Sequence, residues 1–310
     1  MMRTCVWRPG PGAVLVLTGI ACACAGGDQS ATTAGEIVVA DVGFMTPESV
    51  LHDSVADVYL VSNINGSPAG EDDNGFISRV TPDGQVENLK WIDGEDPSFA
   101  LNAPKGMAIH GDTLFIADIK CIRMFHRVSG AHEGVLCLDG VTFLNDISIG
   151  PEGSIFVTDS GLEDDGSGGL AASGTDAVYR YPISENLQGA TLAKNTNLGN
   201  PNGIAVGSRG IFVVTFGSGE ILRFTAAGER TQVTRPSDRQ LDGIVLMPDG
   251  GLLFSSWGDS AVYRVTASGE TTRVVEGVPS PADIGFDAQR NRVLIPLFTE
   301  NRVIFRDLGR

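Results

Sequence analysis

The chain has 310 residues, 42% of them hydrophobic and 40 of them glycine, so it can bury a large core and must turn often. Its formal net charge of −16 argues against nucleic-acid binding, which needs a basic surface to neutralise phosphate. Acidity by itself names no partner, because a solvated acidic face is its commoner source.

At the N-terminus, Arg3 and Arg8 precede the apolar run AVLVLTGIA at 13–21. That run is too short to span a bilayer and has the layout of a signal peptide. The small residues and cysteines that follow, ACACAGGDQSATTAG, resemble a bacterial lipoprotein signal. Cys24 is expected to be the lipidated first residue, with cleavage at Cys22 and ordinary cleavage as alternatives. On this reading 1–23 is a signal peptide, 24–35 a flexible tether and 36–310 the folded domain. The protein would be exported and held at the cell envelope, meeting the membrane only through its lipid. Cys121 and Cys137 then remain as a pair on neighbouring strands. A disulfide in an oxidising compartment and two small buried thiols are both open readings.

From residue 36 onward, short runs rich in Val, Ile, Leu and Phe are broken by Gly, Asp, Asn and Pro, which reads as strands throughout. No stretch keeps a helical period. The strands recur as a set. Opening strands read ESVLHD, KGMAIH, NDISIG, NGIAVG, DGIVLM and ADIGFD. More apolar second strands read DVYLVSN, TLFIADI, SIFVTDS, IFVVTFG, LLFSSWG and RVLIPLF. Third strands follow, such as AVYRYP and AVYRVT, and most copies add an outer strand such as VENLKWI or RTQVTRP. Six copies at an interval of about 40 residues predict an all-β fold, a six-bladed β-propeller. The last copy lacks its outer strand. The N-terminal strand in EIVVADVGF can supply it, closing the last blade and removing open sheet edges.

The first and third copies are longer. Their extra residues, SNINGSPAGEDDNG and TDSGLEDDGSGGLAASGTD, fall between second and third strands, on the face where the opening strands begin. They read either as rims over a central pocket or as solvated acidic loops. GSGGLA at 166–171 follows a strand but opens no helix, so it is not a dinucleotide motif.

The first polar residue of each opening strand is expected to point into the central channel. In chain order these are Glu48, Lys105, Asn145 with Asp146, Asn202, Asp242 and Asp283. Grouped carboxylates repel and lose hydration unless a cation compensates. Carboxylates with asparagine carbonyls make a hard-oxygen set suited to Ca²⁺, Mg²⁺ or Mn²⁺. His52, His110, His126 and His132 form no evident ligand cluster, so a structural zinc is not indicated. Asn and Asp before a strand are also ordinary turn formers. Glu48, after Pro47, is the residue that turn chemistry explains least.

These residues resemble the SMP-30/gluconolactonase/LRE family over most of residues 44–305. The resemblance implies a propeller with one divalent metal at its centre. The implied ligands are Glu48 in TPESV, Asn202 in NPNGIAV and Asp242 in QLDGIVL, with Asn145 in FLNDISI contacting substrate. Calcium is the first expectation, with magnesium, manganese and zinc left open. Two departures stand out. Glu-Ser-Val-Leu replaces the family's usual Glu-Gly-Pro-x-Trp. Phe143 occupies the place where lactonase members often carry an Arg for sugar hydroxyls, which points to a substrate less polar than gluconolactone. The expected function is metal-dependent hydrolysis of a lactone or related ester. A small-molecule substrate would be bound by Asn145, Lys105 and Phe143, with Asp242, Asp146 or Asp283 taking a proton. No Gly-x-Ser-x-Gly elbow competes. The alternative is a non-catalytic, envelope-tethered propeller that serves as a binding platform, similar to NHL-type propellers.

Overall fold

The computed structural model describes residues 35–183, 189–194, 198–236 and 240–309. The signal peptide, Cys22, Cys24 and nearly all of the tether lie outside them. Within the described residues every regular element is a strand. They form six four-stranded antiparallel sheets and one two-stranded hairpin. Each inner strand contacts the inner strand of the next sheet, and the sixth contacts the first, so the sheets are the blades of a closed propeller. The inner strands are Pro47–Asp53, Pro104–His110, Leu144–Ile149, Pro201–Gly207, Leu241–Leu246 and Gly285–Asp287.

Burial explains the sequence pattern. The second strands Val58–Asn63, Ser154–Asp159 and Arg292–Leu297 are buried at every residue, because a neighbouring blade covers each face. They therefore read as continuous apolar runs rather than as alternation. Outer strands such as His132–Cys137 lie mostly at the surface and admit polar residues such as His132 and Glu133. The core is split among the blade interfaces. One cluster joins blades two and three through Phe115, Ile122, Ile147 and Val157. Another joins blades one and two through Leu60, Ile77, Met107 and Leu114.

The seam between the last and first blades uses the two ends of the domain. Glu36–Val39 pairs antiparallel with the strand Arg302–Asp307, and Arg306 forms an ion pair with Glu36. Beside it, Val39, Val50 and Tyr59 pack on Leu294, Val303 and Phe305. Each fully buried side chain of this kind contributes about 1.5–3 kcal/mol. Cys121 and Cys137 face each other on the third and outer strands of blade two and are joined by a disulfide.

Both long insertions reach the mouth of the channel. Pro68 of the first, and Leu162 and Leu170 of the second, line the cavity there. Leu162 and Leu170 belong to the small hairpin, Leu162–Asp164 paired with Leu170–Ala172.

Candidate metal centre

In five blades the pairing between inner and second strands breaks at the same place. The breaks span Pro47 to Val50, Pro104 to Met107, Leu144 to Ile147, Pro201 to Ile204 and Leu241 to Ile244. Two residues sit inside each break: Glu48-Ser49, Lys105-Gly106, Asn145-Asp146, Asn202-Gly203 and Asp242-Gly243. Such a bulge re-aims side chains that a regular strand would alternate. The first residue of every pair lines one cavity at the channel mouth. Ser49 and Asp146, second in their pairs, line a separate cavity on the other side. Glycine follows three of the ring residues because adjacent inner strands crowd at the axis. A Cβ on Gly203 would lie 2.5 Å from the Asp242 carbonyl oxygen, and one on Gly106 2.2 Å from Asp146 Oδ1.

The sixth blade corrects the sequence reading by one residue. Pro281 bridges to Leu297 just as Pro47 pairs with Asn63, so the ring position is Ala282 and Asp283 is second in its pair. Asp283 accordingly lines the far cavity with Asp146. Its Oδ2 accepts a hydrogen bond from Ser49 Oγ at 2.5 Å, and its backbone N–H donates to the Glu48 carbonyl at 2.9 Å. The sixth inner strand is short, Gly285–Asp287. Asp146 is also committed: its Oδ2 accepts from the Ile204 N–H at 2.7 Å, tying blade three to blade four. Of the three carboxylates expected as proton acceptors, Asp242 is the one that lines the mouth cavity.

The mouth cavity has a distinctive set of unpaired atoms. Glu48 Oε2, Asn145 Oδ1, Asn202 Oδ1 and Asp242 Oδ1 are buried and have no hydrogen-bond partner. Each such group costs about 1–3 kcal/mol when left unmade. Asn145 is held in this orientation. Its Nδ2 donates to Ser160 Oγ at 3.1 Å, and Ser160 Oγ donates to the Pro201 carbonyl at 2.6 Å. Burial, then the neighbouring carboxylates Asp242 and Asp283, push the Glu48 carboxyl well above its ordinary value. Asp242 is raised by burial and by Asp283. The Trp257 indole N–H faces Asp242 and works against that rise, without closing a well-aligned hydrogen bond. Burial lifts Asp283 to about 7.

Lys105 is the cation nearest this group. Its Nζ donates to the Ala103 carbonyl at 3.0 Å and lies 4.3 Å from the centroid of the Phe143 ring. Burial pushes its ammonium down to about 8, against the attraction of Glu48 and Asp118. One lysine does not balance Glu48, Asp146, Asp242 and Asp283, all nine-tenths or more buried. Four orphaned hard oxygens and this negative excess fit an oxygen-preferring divalent cation such as calcium. Glu48, Asn202, Asp242 and Asn145 are the residues that would hold it.

A second acidic group amends the reading of the histidines. His52, Asp57 and Asp287 place their ligand atoms within 4.8 Å of one another. Here, however, the oxygens are taken. Arg290 bonds both Asp57 oxygens at 2.7 Å and Asp287 Oδ2 at 2.8 Å, and Tyr59 OH donates to the same Oδ2 at 2.7 Å. Asp287 Oδ1 accepts the N–H groups of Gln289 and Arg290. Arginine already does what a metal would do.

The cavity wall escaped the sequence reading. Ile64, Ser160, Phe216, Trp257 and Phe298 all line it. Each occupies the same repeat position, one residue past the end of a second strand, and aligning SNI, TDS, VTF, SSW and PLF exposes the set. The cavity measures about 100 Å³, room for an ion with a few waters, and opens between the two insertions.

No protein-family model and no curated protein matches the chain. Many solved structures share its fold. One is a virginiamycin B lyase from Staphylococcus aureus, solved as a catalytically inactive His-to-Ala variant with quinupristin. It is 16% identical, with a TM-score of 0.60 over 88% of this chain and 100% of that one. A structure assigned as a gluconolactonase is 18% identical, with a TM-score of 0.64 over 89% and 94%. A luciferin-regenerating enzyme is 13% identical, with a TM-score of 0.63 over 89% and 96%. The chain therefore shares the propeller fold of these proteins, gluconolactonase and lyase alike.

Proposed function

We propose that the protein is a metal-dependent hydrolase of a lactone or related ester, with one divalent cation, calcium first, at the channel mouth. The observation that carries this reading is the convergence of four buried, unpartnered oxygens on one cavity. When bound, the cation supplies Lewis-acid polarisation of an acyl carbonyl. Asn145, locked by Ser160, offers its oxygen at a set angle. Asp242 takes the proton as water is added, being the one expected acceptor that lines this mouth. Lys105 and Phe143 close one side, and the apolar wall opposite excludes bulk water.

The fold neighbours include a lyase whose activity is lost with a histidine. Among the described residues no histidine lines the mouth cavity, which favours carboxylate-assisted hydrolysis over that chemistry. The substrate is a small molecule, and neither nucleic acid nor membrane takes part in the chemistry. We further propose that the protein is an exported envelope lipoprotein anchored through Cys24.

The test is metal content and calorimetric calcium binding by wild type and by a Glu48→Ala, Asp242→Ala double variant, followed by a lactone and ester screen. One equivalent bound by wild type and lost in the variant is the expected result. No bound metal, with no thermal shift on adding calcium, sinks the hydrolase and leaves a binding platform.

A further inference from the structure

We infer that three buried hydroxyls, those of Ser62, Thr158 and Ser255, hold the channel-mouth oxygens in place and thereby set the affinity of that site for a cation. This rests on the cation site proposed above. None of the three lines the mouth cavity, so they act as positioning residues through the backbone.

The bulge that aims each ring residue at the mouth also takes the next N–H out of the ladder between inner and second strands. A buried N–H without an acceptor is expensive. In blades one, three and five a second-strand side chain supplies that acceptor. The Ser49 N–H, next to Glu48, donates to Ser62 Oγ at 2.9 Å. The Asp146 N–H, next to Asn145, donates to Thr158 Oγ1 at 3.0 Å. The Gly243 N–H, next to Asp242, donates to Ser255 Oγ at 2.8 Å. All three hydroxyl residues are fully buried.

Two of these hydroxyls reach on to the next blade. Thr158 Oγ1 donates to the Asn202 carbonyl at 2.5 Å, and Ser255 Oγ to the Ala282 carbonyl at 2.8 Å. Thr158 therefore links the peptide after Asn145 to the peptide after Asn202. Ser255 links the peptide after Asp242 to the sixth blade. Glu48, Asn145, Asn202 and Asp242, whose oxygens lack partners at the mouth, are thus each held by one of the three hydroxyls.

The repeat shows the same selectivity. The position paired next to the start of each bulge holds Ser62, Ala117, Thr158, Val214, Ser255 and Pro296 in chain order. Hydroxyls alternate with side chains that cannot hydrogen-bond. A requirement of the propeller fold alone would recur in every blade. The hydroxyls instead fall in the blades that carry Glu48, Asn145 and Asp242. Carboxylates gathered without a cation repel, and a backbone held on both sides of a blade interface resists their spreading. Oxygens placed in advance lose less freedom when the cation arrives.

The experiment measures calcium binding calorimetrically on the full chain, beside the melting temperature of each metal-free protein. The proteins are wild type, Thr158→Val, Thr158→Ser, Ser255→Ala and Ser78→Ala. Thr158→Val nearly keeps the volume but removes the hydroxyl, and should weaken calcium binding about ten- to a hundredfold. Thr158→Ser keeps the hydroxyl and should restore most of the affinity. Ser255→Ala should weaken binding by about tenfold, and carries the same test if Thr158→Val does not fold. Ser78→Ala is the control. Ser78 is equally buried, and its hydroxyl bonds Asn63 and the Leu89 carbonyl rather than a ring peptide. It should lower the melting temperature and leave calcium affinity alone. Unchanged affinity in Thr158→Val and Ser255→Ala overturns the inference and spares the cation site. An equal loss of affinity in Ser78→Ala reduces the effect to general destabilisation and also overturns it. A wild type that binds no calcium removes the cation site and the inference together.

Discussion

Two acidic groups in this propeller have similar composition and opposite electrostatics. At the channel mouth, Glu48 and Asp242 are held with oxygens that nothing pairs, and their carboxyls are pushed up by burial. At the edge of blades one and six, Asp57 and Asp287 meet Arg290 and have their carboxyls held down, Asp57 at about 2 through its Arg290 hydrogen bonds. The second group is finished by the protein itself. The first is left open. A cluster of carboxylates thus marks a ligand site only when the chain leaves the charge uncompensated.

The largest expected break in this contrast comes from Glu48→Gln. It removes one charge from the open group, and should lower calcium affinity by at least about a hundredfold and hydrolysis with it. Thermal stability without metal should rise or hold, because a buried uncompensated acid is gone. Isothermal titration reads the first effect and metal-free melting curves the second. Arg290→Ala attacks the finished group instead. It removes the guanidinium from Asp287, which is fully buried and keeps only its Tyr59 and backbone N–H hydrogen bonds, and should cost about 2–3 kcal/mol in denaturant unfolding while leaving calcium affinity unchanged.

pH separates Asp57 by sign from Asp283, the buried acid behind the mouth that raises Glu48 and Asp242. Asp283 keeps its proton to about 7 in the fold, against 3.8 ordinarily. As pH rises, the unfolded chain therefore releases this proton first, and the metal-free protein loses stability between about pH 4 and 7. Saturating calcium should flatten that decline, a difference visible in melting curves across the range. Asp57 runs the other way. Its contribution is complete above 3.8 and is lost as pH falls toward about 2. The smallest effect expected is that of Asp57→Asn. The side chain is 43% exposed, so the loss should stay below about 1 kcal/mol at neutral pH and shrink further with salt.

Much of the candidate site is legible in the amino-acid sequence. Turn chemistry and the period-two pattern are local, so six blades, the closing N-terminal strand and five ring residues stand out as a repeat. The sixth position misleads because Asp283 looks more like a ligand than Ala282. The prolines before Glu48, Lys105, Asn202 and Ala282 set the true register. The aromatic wall is equally repetitive, but apolar residues at strand ends look like core.

Sequence alone determined the repeat number, the strand order and which polar residues begin the inner strands, because each depends on a few consecutive residues. Only the tertiary structure decided where those residues aim. A bulge sends the first residue of each pair to the mouth, while Ser49 and Asp146, second in theirs, line the far cavity. Asp146 is occupied by an N–H 58 positions away in the chain, while Asp242 Oδ1 is left free. Pairing at that range depends on how the blades close around the axis, which leaves no mark on any short stretch of sequence.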